Sequence, residues 1–149
     1  MDATHELSPA AQVVERMLTE GFATGNTDIV DELCSPDLLE HQFGLSGTGQ
    51  VAIDKVKRGI ADVYRAMPDI RFTVGDWAEF GDTVWIRAEA TGTNTGPFMG
   101  LPSGLPVRFT VIDVARVVDG RIVEHWGVPD RFAILLQTGK LNHLVGERV

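Results

Sequence analysis

An α+β fold is predicted, a curved antiparallel sheet wrapped around N-terminal helices. Three observations lead there. Apolar residues recur at helical spacing as far as Met67, and from Asp69 the pattern changes to period two and keeps it to Val128. Strong turn signals, Gly81-Asp82 and Asp119-Gly120, join the extended runs as hairpins. Helices and strands are therefore segregated along the chain, which is the signature of α+β rather than of a parallel, alternating architecture. Strands this long curl, and helices on their concave side would close a cone with one open mouth.

The first helix starts at Ser8-Pro9, with Ser as N-cap and Pro in the first turn. Its stripe is Val13, Val14, Met17, Leu18 and Phe22, and Gly25 ends it. A short second helix carries Ile29, Val30 and Leu33, with Pro36 as its stop. Leu38 to Phe43 reads as a short extended segment in which Leu39, His41 and Phe43 form an apolar face, so His41 is expected to point inward. A longer helix follows with Ile53, Val56, Ile60, Val63, Tyr64 and Met67 on one side, and Pro68 ends it. Then come four strands. Ile70 to Phe80 bends near Gly75. Thr83 to Thr95 and Val107 to Val118 are joined by a Gly/Pro-rich connection holding Phe98, Met99 and Leu101. Arg121 to Val128 is the last, and a closing helix runs from Phe132 to Gln137.

The 149 residues suit one domain spanning 1–149, with enough volume for a core and a pocket together. A net charge of −8 argues against nucleic acid and against an anionic membrane surface as partners. Cys34 is the single cysteine, and His5, His41, His125 and His143 are scattered, so no metal site is expected. No membrane span or signal segment is visible in the short polar stretch Met1 to Leu7, which makes the cytoplasm the expected compartment. Nucleotide-binding glycine motifs and a Gly-x-Ser-x-Gly elbow are absent too. What remains is acid–base chemistry by carboxylates and histidine, or binding alone.

Strand parity selects the candidates. Asp113 shares a face with Val107, Phe109, Val111 and Ala115. A carboxylate in such company is either half of a buried ion pair, with Arg87 or Arg116 as partner, or a pocket group. In the last strand Ile122, Glu124, Trp126 and Val128 share a face, with Asp130 following at the same parity. Asp130 stands where it caps the closing helix or serves as a base beside the aromatic wall of Trp126. His125 takes the opposite parity and is expected to face solvent or another subunit. Phe98, Met99 and Leu101 form either a flap over the mouth or a loop packed on the sheet. Trp77 or Trp85, whichever points outward, would make the outer sheet face a homodimer interface.

These residues carry a resemblance. Trp85-Ile86-Arg87-Ala88-Glu89-Ala90-Thr91-Gly92-Thr93, then Gly96-Pro97-Phe98-Met99-Gly100-Leu101-Pro102, then Asp113, Asp119-Gly120-Arg121-Ile122-Val123-Glu124-His125-Trp126 and Asp130 resemble the SnoaL-like polyketide cyclases over nearly the whole chain. The resemblance implies the cone of the nuclear transport factor 2-like fold. It also implies aldol cyclisation of a polyketide ester without cofactor or metal, with Asp130 as general acid/base. The family often has a His in the Thr-Gly-Thr-x-Thr-Gly run, where this chain has Asn94. The expected reaction is proton transfer on a small hydrophobic, polyketide-like carbonyl compound. Asp130 would be the base, His41 or Asp113 would protonate or orient the enolate oxygen, and Trp126, Arg87, Trp85, Phe98, Met99 and Asn94 would contact the substrate. Arg87 and Glu89 beside Asp130 also resemble the Asp-Arg-Asp arrangement of small epoxide hydrolases of this fold, which leaves epoxide hydrolysis or dehydration open. So does a non-catalytic binding or dimerisation module.

Overall fold

The computed structural model describes residues 6–145; His5 and most of the polar N-terminal stretch lie outside them. The Ser8 hydroxyl accepts the Ala11 N–H at 3.1 Å, and Pro9 opens α1 (Pro9–Arg16). The expected single helix is two pieces: α1 passes into a π-helical segment, Met17–Phe22, whose wider turn still buries Met17, Leu18 and Gly21. Next come α2 (Ile29–Leu33), β1 (Cys34–Glu40), β2 (Gly47–Thr48) and α3 (Gln50–Ala66). Pro36 does not stop α2. It sits inside β1 where the register with the neighbouring strand is irregular, so its missing N–H breaks no regular ladder.

The rest is β3 (Arg71–Phe80), β4 (Thr83–Thr93), β5 (Pro106–Val118), β6 (Arg121–Pro129), α4 (Arg131–Gln137) and α5 (Asn142–Val145). Strands β3 to β6 form the expected antiparallel meander. The β5–β6 hairpin turns at Asp119-Gly120, both at positive φ (51° and 75°), the conformation that favours this dipeptide. The extended segment expected at Leu38 to Phe43 is β1, which begins earlier, at Cys34, and ends at Glu40; its pairing and the strand β2 were not anticipated, β1 lying parallel on the outer edge of β6 and β2 pairing antiparallel with β1. The sheet has six strands in the order β2-β1-β6-β5-β4-β3 and is not closed.

Two bulges shape it. Gly75 is the extra residue in β3, where Val74 faces Ala88 but Asp76 faces Arg87. Val123 is the extra residue in β6, where Arg116 faces Glu124 but Val117 faces Ile122. Each bends its strand and reverses the side-chain phase beyond it.

The helices cover the concave face in two apolar clusters. Val14, Leu18, Val30, Leu33, Val56 and Ile60 pack on Val84, Ile86, Ala88, Ala115 and Ile122. Ala66, Met67 and Ile134 pack on Ala90, Val107, Phe109 and Val111. Each Leu- or Ile-sized side chain removed from water contributes about 1.5–3 kcal/mol. Alanine at 88 and 90, both fully buried, keeps β4 low enough for this layer to approach. The clusters do not meet completely, and a cavity occupies the gap.

Candidate active site

A cavity of about 130 Å³ opens between the two clusters, lined by members of both, including Val14, Leu18, Phe109, Val111 and Ile134. Its polar lining consists of Glu40, Gln42, Asp113, His125 and Arg131, with the Cys34 thiol in the wall. Volumes of this size admit a small ring into an apolar site.

The centre of the polar group is His125. Its Nδ1 lies 2.8 Å from both oxygens of Glu40 and its Nε2 lies 2.9 Å from Asp113 Oδ1. The Glu40 and Asp113 side chains are almost wholly buried, and the imidazole is 18% exposed. Burial disfavours the charged ring, but hydrogen bonds to Asp113 and Glu40 and the charges of both outweigh it, so its pKa is pushed up to about 10. At neutral pH the ring is an imidazolium donating one N–H to each carboxylate. Since its nitrogens point to opposite sides, the three side chains do not converge on one point as metal ligands would. Among the described residues no group of three or more His, Cys, Asp or Glu side chains is arranged to hold a metal ion.

Backbone pairing assembles this trio. Asp113 is the Cα partner of Gly127, and His125 precedes Gly127 by one pleat on the same face. Glu40 is the partner of His125 in the parallel β1–β6 ladder. The dipeptide Glu-His occurs twice in the chain, at Glu40-His41 and Glu124-His125, and the ladder sets the two side by side. Glu40 then meets His125 on the inner face, while His41 Nε2 meets Glu124 Oε2 at 2.9 Å on the outer face. The repeated dipeptide is the signal that could have exposed both pairs in the sequence.

The expected residues divide as follows. Asp113 points inward as predicted, but its partner is His125, not Arg87 or Arg116, and Phe98 does line the cavity. His125, expected to face solvent or another subunit, is at the centre. The reason is the Val123 bulge: Ile122 faces inward, and beyond the bulge so do His125, Gly127 and Pro129, while Glu124, Trp126 and Val128 turn outward. Trp126 is therefore no cavity wall. It stacks on His41 on the outer face, ring centroids 4.6 Å apart and 9° from parallel. His41 points outward because the inner parity of β1 belongs to Leu38 and Glu40, 1% and 2% exposed; a carboxylate is tolerable there only because His125 meets it.

Trp85 and Arg87 also occupy the outer face, Arg87 in a bidentate pair with Asp76. Glu89 pairs with Arg108, so no Asp-Arg-Asp-like group forms with Asp130. Asn94 is buried outside the cavity lining. Its side chain bonds Gly96 O, Ser103 N and Oγ and Lys140 Nζ, which pins the connection that carries Phe98. Met99 is exposed at positive φ. Asp130 lies between the lining residues Pro129 and Arg131 but is itself exposed, and its Oδ1 accepts the Ala133 N–H at 3.0 Å as the cap of α4. Neither Asp130 nor Trp126 is among the lining residues of the cavity.

Comparison with known proteins bears on the family and the fold. The family model for SnoaL-like polyketide cyclase matches residues 12–138. No curated protein matches the chain. Among solved structures, wild-type IdmH from Streptomyces antibioticus, described as a candidate polyketide cyclase, is 32% identical, with 87% of this chain and 98% of that one covered and a TM-score of 0.74. AclR from Streptomyces galilaeus, described as a candidate hydroxylase, is 25% identical, covering 91% and 84%, at a TM-score of 0.74. A protein from Catenulispora acidiphila with a ketosteroid isomerase-like fold, in complex with trimethylamine, is 16% identical, covering 86% and 92%, at 0.68, a likeness of fold alone.

Proposed function

The chain belongs to the SnoaL-like polyketide cyclase family, and from that premise we propose that it is a cofactor-independent acid–base enzyme moving a proton on a hydrophobic, polyketide-like carbonyl compound. The observation that carries this reading is the buried Glu40–His125–Asp113 group at the wall of an otherwise apolar cavity. Asp113 is assigned as the base. Its Oδ1 is committed to His125, while its Oδ2 has no hydrogen-bond partner among the described residues. The imidazolium orients the Asp113 carboxylate, and Glu40 holds the imidazolium. Asp113 Oδ2 removes a proton from the carbon next to a bound carbonyl, leaving an enolate whose carbon attacks within the same molecule; the proton returns to the oxygen that the attack creates. Apolar walls strengthen each of these electrostatic contacts by excluding water.

The test is deuterium exchange at the α-carbon of a hydrophobic ketone such as 2-tetralone, followed by NMR. Wild type is expected to accelerate exchange, and Asp113→Asn to lose roughly 10²–10⁴-fold, the range of a positioned acid–base group. Exchange unchanged in Asp113→Asn excludes this assignment. A second reading keeps Asp130 as base, favoured by its place between two lining residues and by its uncommitted Oδ2; it requires Asp130→Asn to carry the loss instead.

The reading includes a homodimer. Trp85, Ile112, Trp126 and Val128 are exposed on the outer sheet face, joined by the pairings Trp85–Val114–Trp126 and Arg87–Ile112–Val128, and neighbouring exposed aromatic and apolar side chains are common at interfaces. Sedimentation at micromolar concentration should give twice the chain mass; a monomer rejects it.

A further inference from the structure

Resting on that reading of the cavity, we propose that Gln42 and Arg131 form an anionic-oxygen subsite at its rim, so that the compounds it takes are hydrophobic carboxylic acids rather than neutral carbonyl compounds alone.

The inference starts from which polar groups are already committed. His125 gives both N–H groups to Glu40 and Asp113 and has none left for a ligand. The cavity's other side-chain N–H donors are Gln42 and Arg131. Arg131 donates one N–H, from Nη2, to Phe43 O at 3.0 Å, and its guanidinium lies 5.8 Å above the Phe43 ring. No carboxylate pairs with it among the described residues. The Gln42 carboxamide likewise has no hydrogen-bond partner among the described residues.

Gly127 explains where that carboxamide sits. A Cβ at this position would collide with the Gln42 carboxamide and come within 2.9 Å of His125 Cε1. Gln42 therefore reaches across β6 through the gap that glycine leaves, and its amide lies beside the His125 ring, one residue away from the backbone oxygen that holds Arg131. Glycine in a strand interior weakens it, and a close approach of this sort is what such a residue permits.

Charge decides the ligand class. His125 is committed to Glu40 and Asp113, and among the described residues Arg131 is the only other basic side chain in the lining. Covering a guanidinium with a neutral apolar ligand removes water from it with nothing in return. A carboxylate returns a charge-assisted and bidentate pair. The amide of Gln42 completes the same oxygen pair, and the apolar body of the ligand enters the cavity behind it.

The test is isothermal titration of 2-naphthylacetate and methyl 2-naphthylacetate into wild type, Arg131→Gln, Gln42→Ala and Gly127→Ala at neutral pH. Wild type is expected to bind the acid at least about tenfold more tightly than the ester. Arg131→Gln should remove that preference while leaving ester affinity in place. Gln42→Ala and Gly127→Ala should weaken the acid alike, the second by displacing the amide without deleting it. Gly127→Ala has no positive φ to strain, but its Cβ meets the His125 ring as well as the Gln42 amide, so its thermal midpoint is measured beside that of wild type and Gln42→Ala carries the comparison. Equal affinity of acid and ester in wild type, or a preference that survives Arg131→Gln, overturns the subsite and leaves the acid–base reading standing. Binding of neither probe overturns both.

Discussion

Replacing His125 by Gln tests whether the ring is the buried cation that the geometry requires. The folded-state pKa of about 10 lies above the ordinary 6.5, so the ring stabilises the fold fully below about pH 6.5, and that contribution is lost as pH rises through 10. At about 1.4 kcal/mol per pH unit the gap corresponds to roughly 5 kcal/mol. Residual exposure of the imidazole, 18%, discounts it to roughly 3–5 kcal/mol. The structural counterpart agrees: deleting the cation leaves Glu40 and Asp113 buried and unpaired, which costs about 3–5 kcal/mol. For a chain of this length that is a fall in thermal midpoint of roughly 10–15 °C at pH 6.5. Urea unfolding followed by tryptophan fluorescence at pH 6.5 and 9.5 measures it directly. The difference between wild type and His125→Gln should narrow by roughly 3 kcal/mol between those values, because wild type loses the contribution and the variant never had it. Comparing the two proteins cancels the pH dependence of the groups that they share. A difference of equal size at both pH values, or a variant as stable as wild type at pH 6.5, refutes the buried imidazolium.

Two further outcomes follow from the same structure. Asp130→Ala should lower stability by about 1 kcal/mol through loss of the α4 cap, whereas Asp130→Asn should leave it nearly unchanged, as thermal melting of the two variants would show; equal losses in both would mean that the charge, not the cap, matters. Burial pushes the Cys34 thiol up to about 12, so at pH 8 its thiolate fraction is roughly a thousandfold below that of an ordinary thiol. A water-soluble disulfide reagent should therefore label the unfolded chain at once and the native chain only on the timescale of opening, and rapid stoichiometric labelling of native protein contradicts this.

The sequence by itself determined the class of fold and most of its elements. Period-two patterning from Ile70 to Val128, the Asp119-Gly120 turn, the Ser8-Pro9 start and the Asp130 cap are local signals, and local signals survive in sequence because their causes are steric and lie within a few residues. Asp113 was legible for the same reason: β5 has no bulge between Val107 and Arg116, so its parity carries through. The tertiary structure alone decided the rest of the site. One extra residue, Val123, reversed the phase of β6 and exchanged Trp126 for His125 on the inner face, a change that alternation read from the chain cannot register. The parallel ladder between β1 and β6 decided that Glu40, not His41, faces inward, because a buried carboxylate becomes tolerable only when a residue 85 positions away supplies its cation. Gln42 entered the cavity on the same terms, through a space that exists only because Gly127 has no side chain.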